Sequence, residues 1–223
     1  YANARASTLN AHYTPQVIID AMYKAVQNMD LPRDARILEP SCGTGNFISR
    51  MPHSLSNAEV VGIELDGITA RIAKQLHRNS DNVQIIQTGF EHSGLENNSF
   101  DLAIGNVPFG DYKLHDSKYD DKNFLIHDYF FAKALDKVHP GGIVAFVTSK
   151  GTLDKENSKV REYLAQRAEL LGAVRLPNNA FKGNAGTEVT TDIIFLQKRE
   201  QLVDDIRPLW VDVSPNADGI PVN

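Results

Sequence analysis

The segment ILEPSCGTGNF, residues 37–47, joins a short apolar run to a turn with two glycines. Gly43 and Gly45 let a backbone turn tightly and approach a ligand closely. A dinucleotide fingerprint would place a third glycine at position 48, where this chain has Ile48. Glu39 precedes the glycines, and its carboxylate would repel a pyrophosphate but tolerate an ammonium group. The segment therefore predicts a turn that binds a nucleoside cofactor without phosphates. S-adenosylmethionine fits, because it has an ammonium group and no phosphate.

Short apolar segments alternate with helical patterns along the rest of the chain. Strands are predicted at residues 35–39, 60–65, 83–88, 100–106, 142–149, 170–176 and 190–197. Helices are predicted from Thr14-Pro15 onward, with Thr14 as N-cap and Pro15 at N1, and at residues 67–77, 124–138 and 155–167. Continuous apolar strands are typical of burial on both faces. The alternation predicts a doubly wound, mostly parallel α/β sheet, whose ligands bind beyond the carboxyl ends of the strands.

The bulk composition sets the class of protein. The chain has 223 residues, 42% of them hydrophobic, and no apolar run approaches membrane-spanning length. We predict a catalytic domain over residues 1–200 and a proline-containing tail or linker over residues 201–223. The first residue is Tyr1, so we expect a longer parent chain. The single cysteine excludes an internal disulfide and favours the cytoplasm, and the net charge of -5 argues against a protein that coats nucleic acid.

The second predicted strand ends in VVGIELD and supplies a further acid. Glu64 follows the glycine turn by about twenty residues, the spacing at which a carboxylate meets the hydroxyls of a ribose. Two acceptor oxygens match two vicinal hydroxyl donors. A lone pair of glycines would be explained by an ordinary strand-to-helix turn. Glu39 and Glu64 together favour the cofactor site instead.

A second unusual segment, IGNVPFGDY at residues 104–112, follows another predicted strand. An exocyclic aryl amine is a weak nucleophile because its lone pair is delocalised into the ring. The side-chain oxygen of Asn106 and the carbonyl of Val107 would accept both amine hydrogens, and Pro108 stiffens the turn. Phe109 offers a stacking face worth roughly 1–3 kcal/mol to a base flipped out of a duplex. An ordinary type I turn would explain the tetrapeptide alone, but the cofactor turn in the same sheet favours catalysis.

These motifs together resemble those of the adenine-N6 DNA methyltransferases over residues 10–198. NAHYTPQVIIDAMY looks like the family's upstream cofactor motif, LEPSCGTGNF its glycine motif, GIELD its ribose motif and NVPF its catalytic motif. LPNNAF looks like the motif that supplies a second aromatic residue against the flipped base, here Phe181. The order of motifs resembles the gamma type, in which the target-recognition domain follows the catalytic domain.

The resemblance implies a seven-stranded sheet of the S-adenosylmethionine-dependent methyltransferase (Rossmann-like) type, and methyl transfer to adenine N6 in DNA. It implies a restriction-modification or mobile-element methylase whose recognition or helicase domain lies outside this sequence. The cofactor residues would be Tyr13, Thr14, Glu39, Ser41, Cys42, Gly43, Gly45, Glu64, Leu65, Phe90 and Asn106. Catalysis would fall to Asn106, Val107, Pro108 and Phe109, with Phe109 and Phe181 against the base.

The chain departs from the family pattern at two positions. Val107 replaces the usual first proline, which should be tolerated because only the backbone carbonyl of this residue accepts the amine hydrogen. In QTGFEH, Gly89 replaces the usual Asp before Phe90, which would bond the adenine amine of the cofactor. Either Glu91 or the backbone substitutes, or cofactor affinity is low.

Two other functions compete with DNA methylation. Methylation of a protein glutamine amide uses a similar catalytic motif, but it usually follows a helical substrate domain and not an HYTP motif. A non-catalytic cofactor- or DNA-binding subunit is the other. No histidine pair has the spacing of metal ligands, so no metal is predicted. The polar segment 111–122 is predicted to be a loop, either solvated or ordered by DNA, and Lys150, Lys155 and Lys159 are predicted to be surface lysines, with phosphate contacts the alternative.

Overall fold

A computed structural model of the chain describes residues 14–181, 190–215 and 221–222. The strands of the main sheet are β1 (Arg36–Glu39), β2 (Glu59–Glu64), β3 (Val83–Gln87), β4 (Phe100–Asn106), β5 (Val138–Ser149), β6 (Ala168–Arg175) and β7 (Thr191–Lys198). The α-helices are α1 (Gln16–Val26), α2 (Asn46–Ser49), α3 (Gly67–Leu76), α4 (Ile126–Lys137), α5 (Gly151–Asp154) and α6 (Lys159–Arg167). A two-stranded ladder pairs Ser214–Pro215 with Pro221–Val222.

The seven strands form one sheet in the order β3-β2-β1-β4-β5-β7-β6. The strands from β3 to β5 run parallel, and β7 runs antiparallel to both of its neighbours. The predicted doubly wound, mostly parallel seven-stranded sheet is therefore confirmed. The chain builds outward from β1 to β3 and then returns to place β4 on the other side of β1. This reversal makes the crevice between the ends of β1 and β4 the expected ligand site.

Both faces of the sheet are covered, which explains why its central strands are continuously apolar. In β5, Val144 and Phe146 belong to a cluster with the aromatic side chains of α4. The alternate residues Ala145 and Val147 belong to a second cluster on the opposite face, which includes Ile19 of α1. The helices cover the sheet and leave its carboxyl edge to carry the functional residues.

The starts of α1 and α6 differ from their prediction. Pro15, with φ -56° and ψ 140°, occupies the N-cap position of α1, so Thr14 is not the cap and Pro15 is not at N1. The helix predicted at residues 155–167 begins at Lys159, after the separate short α5. The Asn157 side chain accepts a hydrogen bond from the Lys159 N–H at 3.0 Å, and this local turn competes with a continuous helix.

The segment after β7 packs against the sheet domain over its described part. The Val211 side chain is fully buried, and its carbonyl accepts a hydrogen bond from Arg161 Nε at 2.6 Å. The Val203 N–H donates to the Gln166 carbonyl at 3.0 Å. Residues 201–215 are thus anchored on α6, and the domain boundary at residue 200 stays a prediction. No helix in the described ranges is long and apolar enough to cross a membrane.

Candidate cofactor and catalytic site

The glycine turn after β1 is folded onto the neighbouring strand β2. Gly43 and Gly45 have φ of 55° and 86°, a left-handed conformation that side-chain-bearing residues rarely adopt. The Cys42 N–H donates to the Ile63 carbonyl at 2.8 Å. The Gly43 N–H donates to Glu64 Oε2 at 2.9 Å. The acid predicted to bind ribose therefore also shapes the turn.

Glu64 keeps acceptor capacity despite these bonds. Its Oε1 accepts a hydrogen bond from the Asp66 N–H at 2.7 Å, so each carboxylate oxygen holds one backbone donor. A carboxylate offers about four lone-pair positions, which leaves two for ribose hydroxyls. Burial raises the pKa of Glu64, and the backbone donors of Asp66 and Gly43 oppose that rise. Leu65, next in the chain, is 72% exposed and presents an apolar face beside this acid.

Cys42 has a packing role in the turn. Its side chain is buried, and a Cβ at Gly62 would lie 3.0 Å from its sulfur, so the glycine in β2 makes room for the thiol. Burial, together with the charges of Glu39 and Glu64, raises the pKa of Cys42. The thiol is therefore neutral at physiological pH and is not an activated nucleophile.

Glu39 ends β1 at the crevice beside β4. Its side chain is 2% exposed, and Oε2 has no hydrogen-bond partner among the residues that the structure describes. A Cβ at Gly105 would lie 3.3 Å from Glu39 Cγ, which places the acid next to the strand that carries Asn106. Burial and the charge of Glu64 raise the pKa of Glu39 well above its ordinary value. A buried carboxylate oxygen without a partner fits a ligand that brings a cation or donor.

Asn106 is the last residue of β4 and stands at the same edge. The next residue, Val107, is buried, and its N–H donates to the Val147 carbonyl at 3.1 Å, which fixes the start of the turn. Pro108 and Phe109 are half-buried. The structure thus brings the predicted catalytic segment next to the predicted cofactor acids.

The remaining predicted site residues lie in different surroundings. Tyr13 is outside the described residues, and Thr14 is buried. Ser41 is half-buried within the glycine turn. Phe90 and Phe181 are both 2% exposed, in the two apolar clusters on opposite faces of the sheet. Their roles against the cofactor and the base stay predictions.

The sequence did not predict how segment 111–122 is held. Asp116 Oδ2 accepts hydrogen bonds from Lys133 Nζ and from the Tyr129 hydroxyl, each at 2.8 Å. The Tyr119 hydroxyl donates to Asp136 on the same helix, α4. We call this segment the anchored loop, because its buried contacts exclude the simple solvated loop. The lysine at position 133, within an otherwise apolar run, was the feature of the sequence that could have indicated a buried acidic partner.

Polar residues around α5 have a structural role. Asp128 is 1% exposed and accepts hydrogen bonds from Lys155 Nζ at 2.5 Å and from the Thr152 hydroxyl at 3.2 Å. Lys155 is thus committed to a buried acid, whereas Lys150 and Lys159 are exposed. In the part of the chain that the structure describes, no group of three His, Cys, Asp or Glu side chains is placed to hold a metal ion.

Solved structures share this fold. A class I S-adenosylmethionine-dependent methyltransferase from Listeria monocytogenes, described as putative, superposes with a TM-score of 0.70 at 20% identity, over 87% of this chain and 62% of that one. The M protein of the EcoKI type I restriction enzyme superposes with a TM-score of 0.65 at 18% identity, over 83% of this chain and 44% of that one. The predicted methyltransferase-type sheet is confirmed.

Sequence relatives identify the family. Defense against restriction protein B of Escherichia phage P1 is 31% identical over 210 residues, which are 91% of this chain but 9% of the phage protein. The methylase subunit of the EcoEI type I restriction enzyme of Escherichia coli is 25% identical over 96% of this chain and 47% of the subunit. This chain spans less than half of either relative. The family model described as N-6 DNA methylase matches residues 1–217, and the chain belongs to that family.

Proposed function

We propose that this chain is the catalytic domain of a DNA methyltransferase that transfers a methyl group from S-adenosylmethionine to the N6 amine of a flipped-out adenine. The observation that carries the proposal is the position of Glu39 against Gly105, the residue before Asn106, at the crevice between β1 and β4. Ligands of doubly wound sheets bind at this reversal of strand order. An amide proposed to orient the accepting amine and an acid proposed to bind the cofactor therefore lie at one crevice, where the two ligands would meet.

The residues around the glycine turn fit the cofactor. Glu64 offers lone pairs to the ribose hydroxyls, and Leu65 offers an apolar face to the adenine ring. The unpartnered oxygen of Glu39 fits a cationic methionine end. Bound there, S-adenosylmethionine supplies a methyl group made electrophilic by its sulfonium. The glycine turn presents backbone where a side chain would obstruct the approach.

Asn106 orients the accepting amine. Its side-chain oxygen accepts one hydrogen of the exocyclic amine, and the Val107 carbonyl accepts the other. Both acceptors favour a tetrahedral nitrogen whose lone pair is available for bond formation. As positive charge develops on that nitrogen the hydrogen bonds strengthen, so these groups stabilise the transition state more than the ground state. Phe109 stacks on the flipped base, and Phe181 is assigned to its opposite face.

The proposed partners follow from the relatives. The EcoEI relative is a methylase subunit of a type I restriction enzyme, and this chain spans 47% of it. We assign target recognition to a region of the parent protein or to another subunit, because this chain corresponds to less than half of the relatives it matches. The DNA substrate must present an unpaired adenine to the crevice. The cytoplasmic location inferred from the single cysteine stays a prediction.

The family match argues against the competing functions. A glutamine-amide methyltransferase shares the catalytic motif, but the matched family is named for N-6 methylation of DNA and covers residues 1–217. A non-catalytic subunit would not need an amide and a carbonyl acceptor at the crevice.

The decisive experiment measures methyl transfer from tritiated cofactor to adenine-containing DNA by the longer parent protein. Asn106→Ala is expected to lower the rate by a factor on the order of a hundred or more, because it removes an acceptor that acts in the transition state. Asn106→Asp keeps an acceptor and should retain more activity than the alanine variant. Binding of S-adenosylhomocysteine should stay within about threefold in both variants, a change of less than 1 kcal/mol.

Asn28→Ala is the matched control, because Asn28 is exposed, lies just after α1 and donates a hydrogen bond to the Lys24 carbonyl in the last turn of that helix. It should methylate at the parental rate. A parental rate in Asn106→Ala would refute the proposed role of the catalytic segment. Transfer of tritium to bulk protein in place of DNA would support the glutamine-amide alternative.

A further inference from the structure

Position 89 carries a glycine that its backbone does not require. Gly89 has φ -72° and ψ 148°, an extended conformation open to any residue. A Cβ at this position would nevertheless lie 2.5 Å from Glu91 Cδ and 2.6 Å from Glu91 Oε2. The space of the missing side chain is therefore filled by the carboxylate of Glu91. A larger residue here would have to displace this carboxylate from its position.

This carboxylate lies at the same sheet edge as the ribose acid. Glu64 and Gln87 are paired across β2 and β3, and the Thr88 N–H donates to the Glu64 carbonyl at 3.0 Å. Gly89 follows directly. A ligand whose ribose is held by Glu64 would extend its base along the edge, either toward β3 or back toward β1. The side of β1 is occupied by Glu39 and the catalytic crevice, so the base is directed toward β3.

Glu91 is held firmly enough to act as a preorganised acceptor. Its side chain is 16% exposed, and its backbone belongs to a 3-10 turn spanning Phe90–His92. Lys133 Nζ of α4, itself 8% exposed at its side chain, donates to the Glu91 carbonyl at 3.0 Å. The neighbouring His92 Nε2 lies 3.8 Å from Glu91 Oε1, but its side chain is 74% exposed. The carboxylate therefore keeps capacity for another donor.

We propose that Glu91 accepts a hydrogen bond from the exocyclic amine of the cofactor's adenine, and so selects a 6-amino purine nucleoside. An ionised carboxylate has acceptors and no donor. It pairs with an amine and opposes the oxygen of a 6-oxo purine. The inference rests on the proposed function, because the nucleoside in question is the cofactor held by Glu64. In this assignment Glu91 supplies the carboxylate that Gly89 lacks.

Calorimetry with two probes tests the assignment: S-adenosylhomocysteine and its 6-oxo analogue, S-inosylhomocysteine. The wild-type chain should prefer the amino compound by about 10- to 100-fold, the range expected of a hydrogen bond to a charged group. Glu91→Ala should remove most of that preference by weakening the amino compound. Glu91→Gln, whose amide both donates and accepts, should bind the two probes about equally.

A relocated acid makes the test sharper. Gly89→Asp combined with Glu91→Ala places the carboxylate two residues earlier with the overlap removed, and should restore a preference for the amino compound. Gly89→Asp alone sets two carboxylates in one space and should bind both probes more weakly than wild type. Glu59→Ala removes the same charge at the opposite end of β2, where its side chain is 68% exposed, and should leave the preference unchanged.

The failures of the two proposals differ. A wild-type preference retained in both Glu91→Ala and Glu91→Gln would overturn the assignment of Glu91 while leaving the cofactor site intact. A wild-type chain that binds neither probe would overturn the proposed function and this inference with it. Thermal denaturation of each variant shows whether it is folded, and the isosteric glutamine variant keeps the test decisive if the alanine variant is unstable.

Discussion

Carboxylates occur before and after Asn106 in the sequence, and the two groups differ in their hydrogen bonding. At the cofactor edge, which comprises Glu39, Glu64 and Glu91, acceptor capacity is left open: one buried oxygen of Glu39 has no hydrogen-bond partner among the described residues. In the anchored loop, Asp116 accepts hydrogen bonds from a lysine and a tyrosine of α4. We propose that the acids of the cofactor edge serve a ligand, whereas the acid of the anchored loop holds the fold.

The pKa directions of the two regions show the same contrast. Burial and the charge of Glu64 raise the pKa of Glu39. Burial acts to raise the pKa of Asp116 as well, but hydrogen bonds from Lys133 and Tyr129 outweigh it and lower that pKa. An acid with a lowered pKa contributes stability above its unfolded pKa and loses it as pH falls. An acid with a raised pKa does the reverse. Substitutions should therefore separate the regions by the sign of their effect on stability.

The largest effect is expected where the cationic partner of a partly buried acid is removed. Lys133→Met takes the ammonium group away from Asp116, whose side chain is 13% exposed, and from the Glu91 carbonyl. Asp116 keeps the Tyr129 hydroxyl as a donor, so the free energy of unfolding in urea denaturation should fall by about 1.5–3 kcal/mol, the range of a hydrogen bond to a charged group. Lys122→Met is the matched control, because Lys122 and Asp121 form an exposed pair at 2.7 Å. It should change the stability by no more than about 1 kcal/mol. Equal effects of the two substitutions would mean that the anchored loop is not held by its buried lysine.

A smaller effect of opposite sign is expected at the cofactor edge. As pH rises above about 4.5, Glu39 ionises in the unfolded chain but stays protonated in the folded one. The folded state then binds more protons, so stability falls with rising pH until the folded pKa is reached. Glu39→Gln removes this loss and should be more stable than wild type at pH 7–8, with the difference closing toward pH 4.5.

Urea denaturation of both proteins across this pH range measures the difference. The glutamine side chain of the variant keeps the shape of the acid, so packing is nearly unchanged. Glu59→Gln, at the exposed end of β2, should show no such pH-dependent gain. A Glu39→Gln variant less stable than wild type at pH 7–8 would show that the acid is satisfied in the free protein and contributes to the fold.

The sequence predicted the cofactor edge better than the anchored loop, for a physical reason. Strand ends and glycine turns are encoded locally, and parallel pairing brings Glu39, Glu64 and Asn106 to one edge without further information. The partners of Asp116 lie 13 and 17 residues away on a helix. Composition alone made that segment polar and irregular. Which lysine it meets depends on the packing of α4.

The sequence also did not predict which side chains occupy the space beside Gly62 and Gly89. Gly62 lies within β2 and Gly89 just before the 3-10 turn after β3, and the space beside each is occupied by another residue, Cys42 in one case and Glu91 in the other. The predicted edges of the strands were correct to within a few residues, with β5 extending back to Val138 beyond its predicted start at 142. That extension pairs Val138 with Phe100 across an irregularity of register that periodicity does not encode.

The smallest predicted effect isolates one hydrogen bond of the anchored loop. The Tyr119 side chain is 5% exposed, and its hydroxyl donates to Asp136 Oδ2. Lys118 Nζ donates to the same oxygen at 2.6 Å, so Tyr119→Phe leaves that carboxylate with a cationic partner. The expected loss is therefore that of a single hydrogen bond, about 1 kcal/mol of unfolding free energy, because Asp136 keeps its ion pair with Lys118.

Tyr112→Phe is the control within the same loop, because Tyr112 is 41% exposed, and its stability should stay within about 0.5 kcal/mol of wild type. Neither substitution should change the affinity for S-adenosylhomocysteine, since both hydroxyls belong to the anchored loop and not to the cofactor edge. Unchanged stability in Tyr119→Phe with weakened cofactor binding would reverse that assignment. The two regions would then not be functionally separate, because the anchored loop would contribute to cofactor binding.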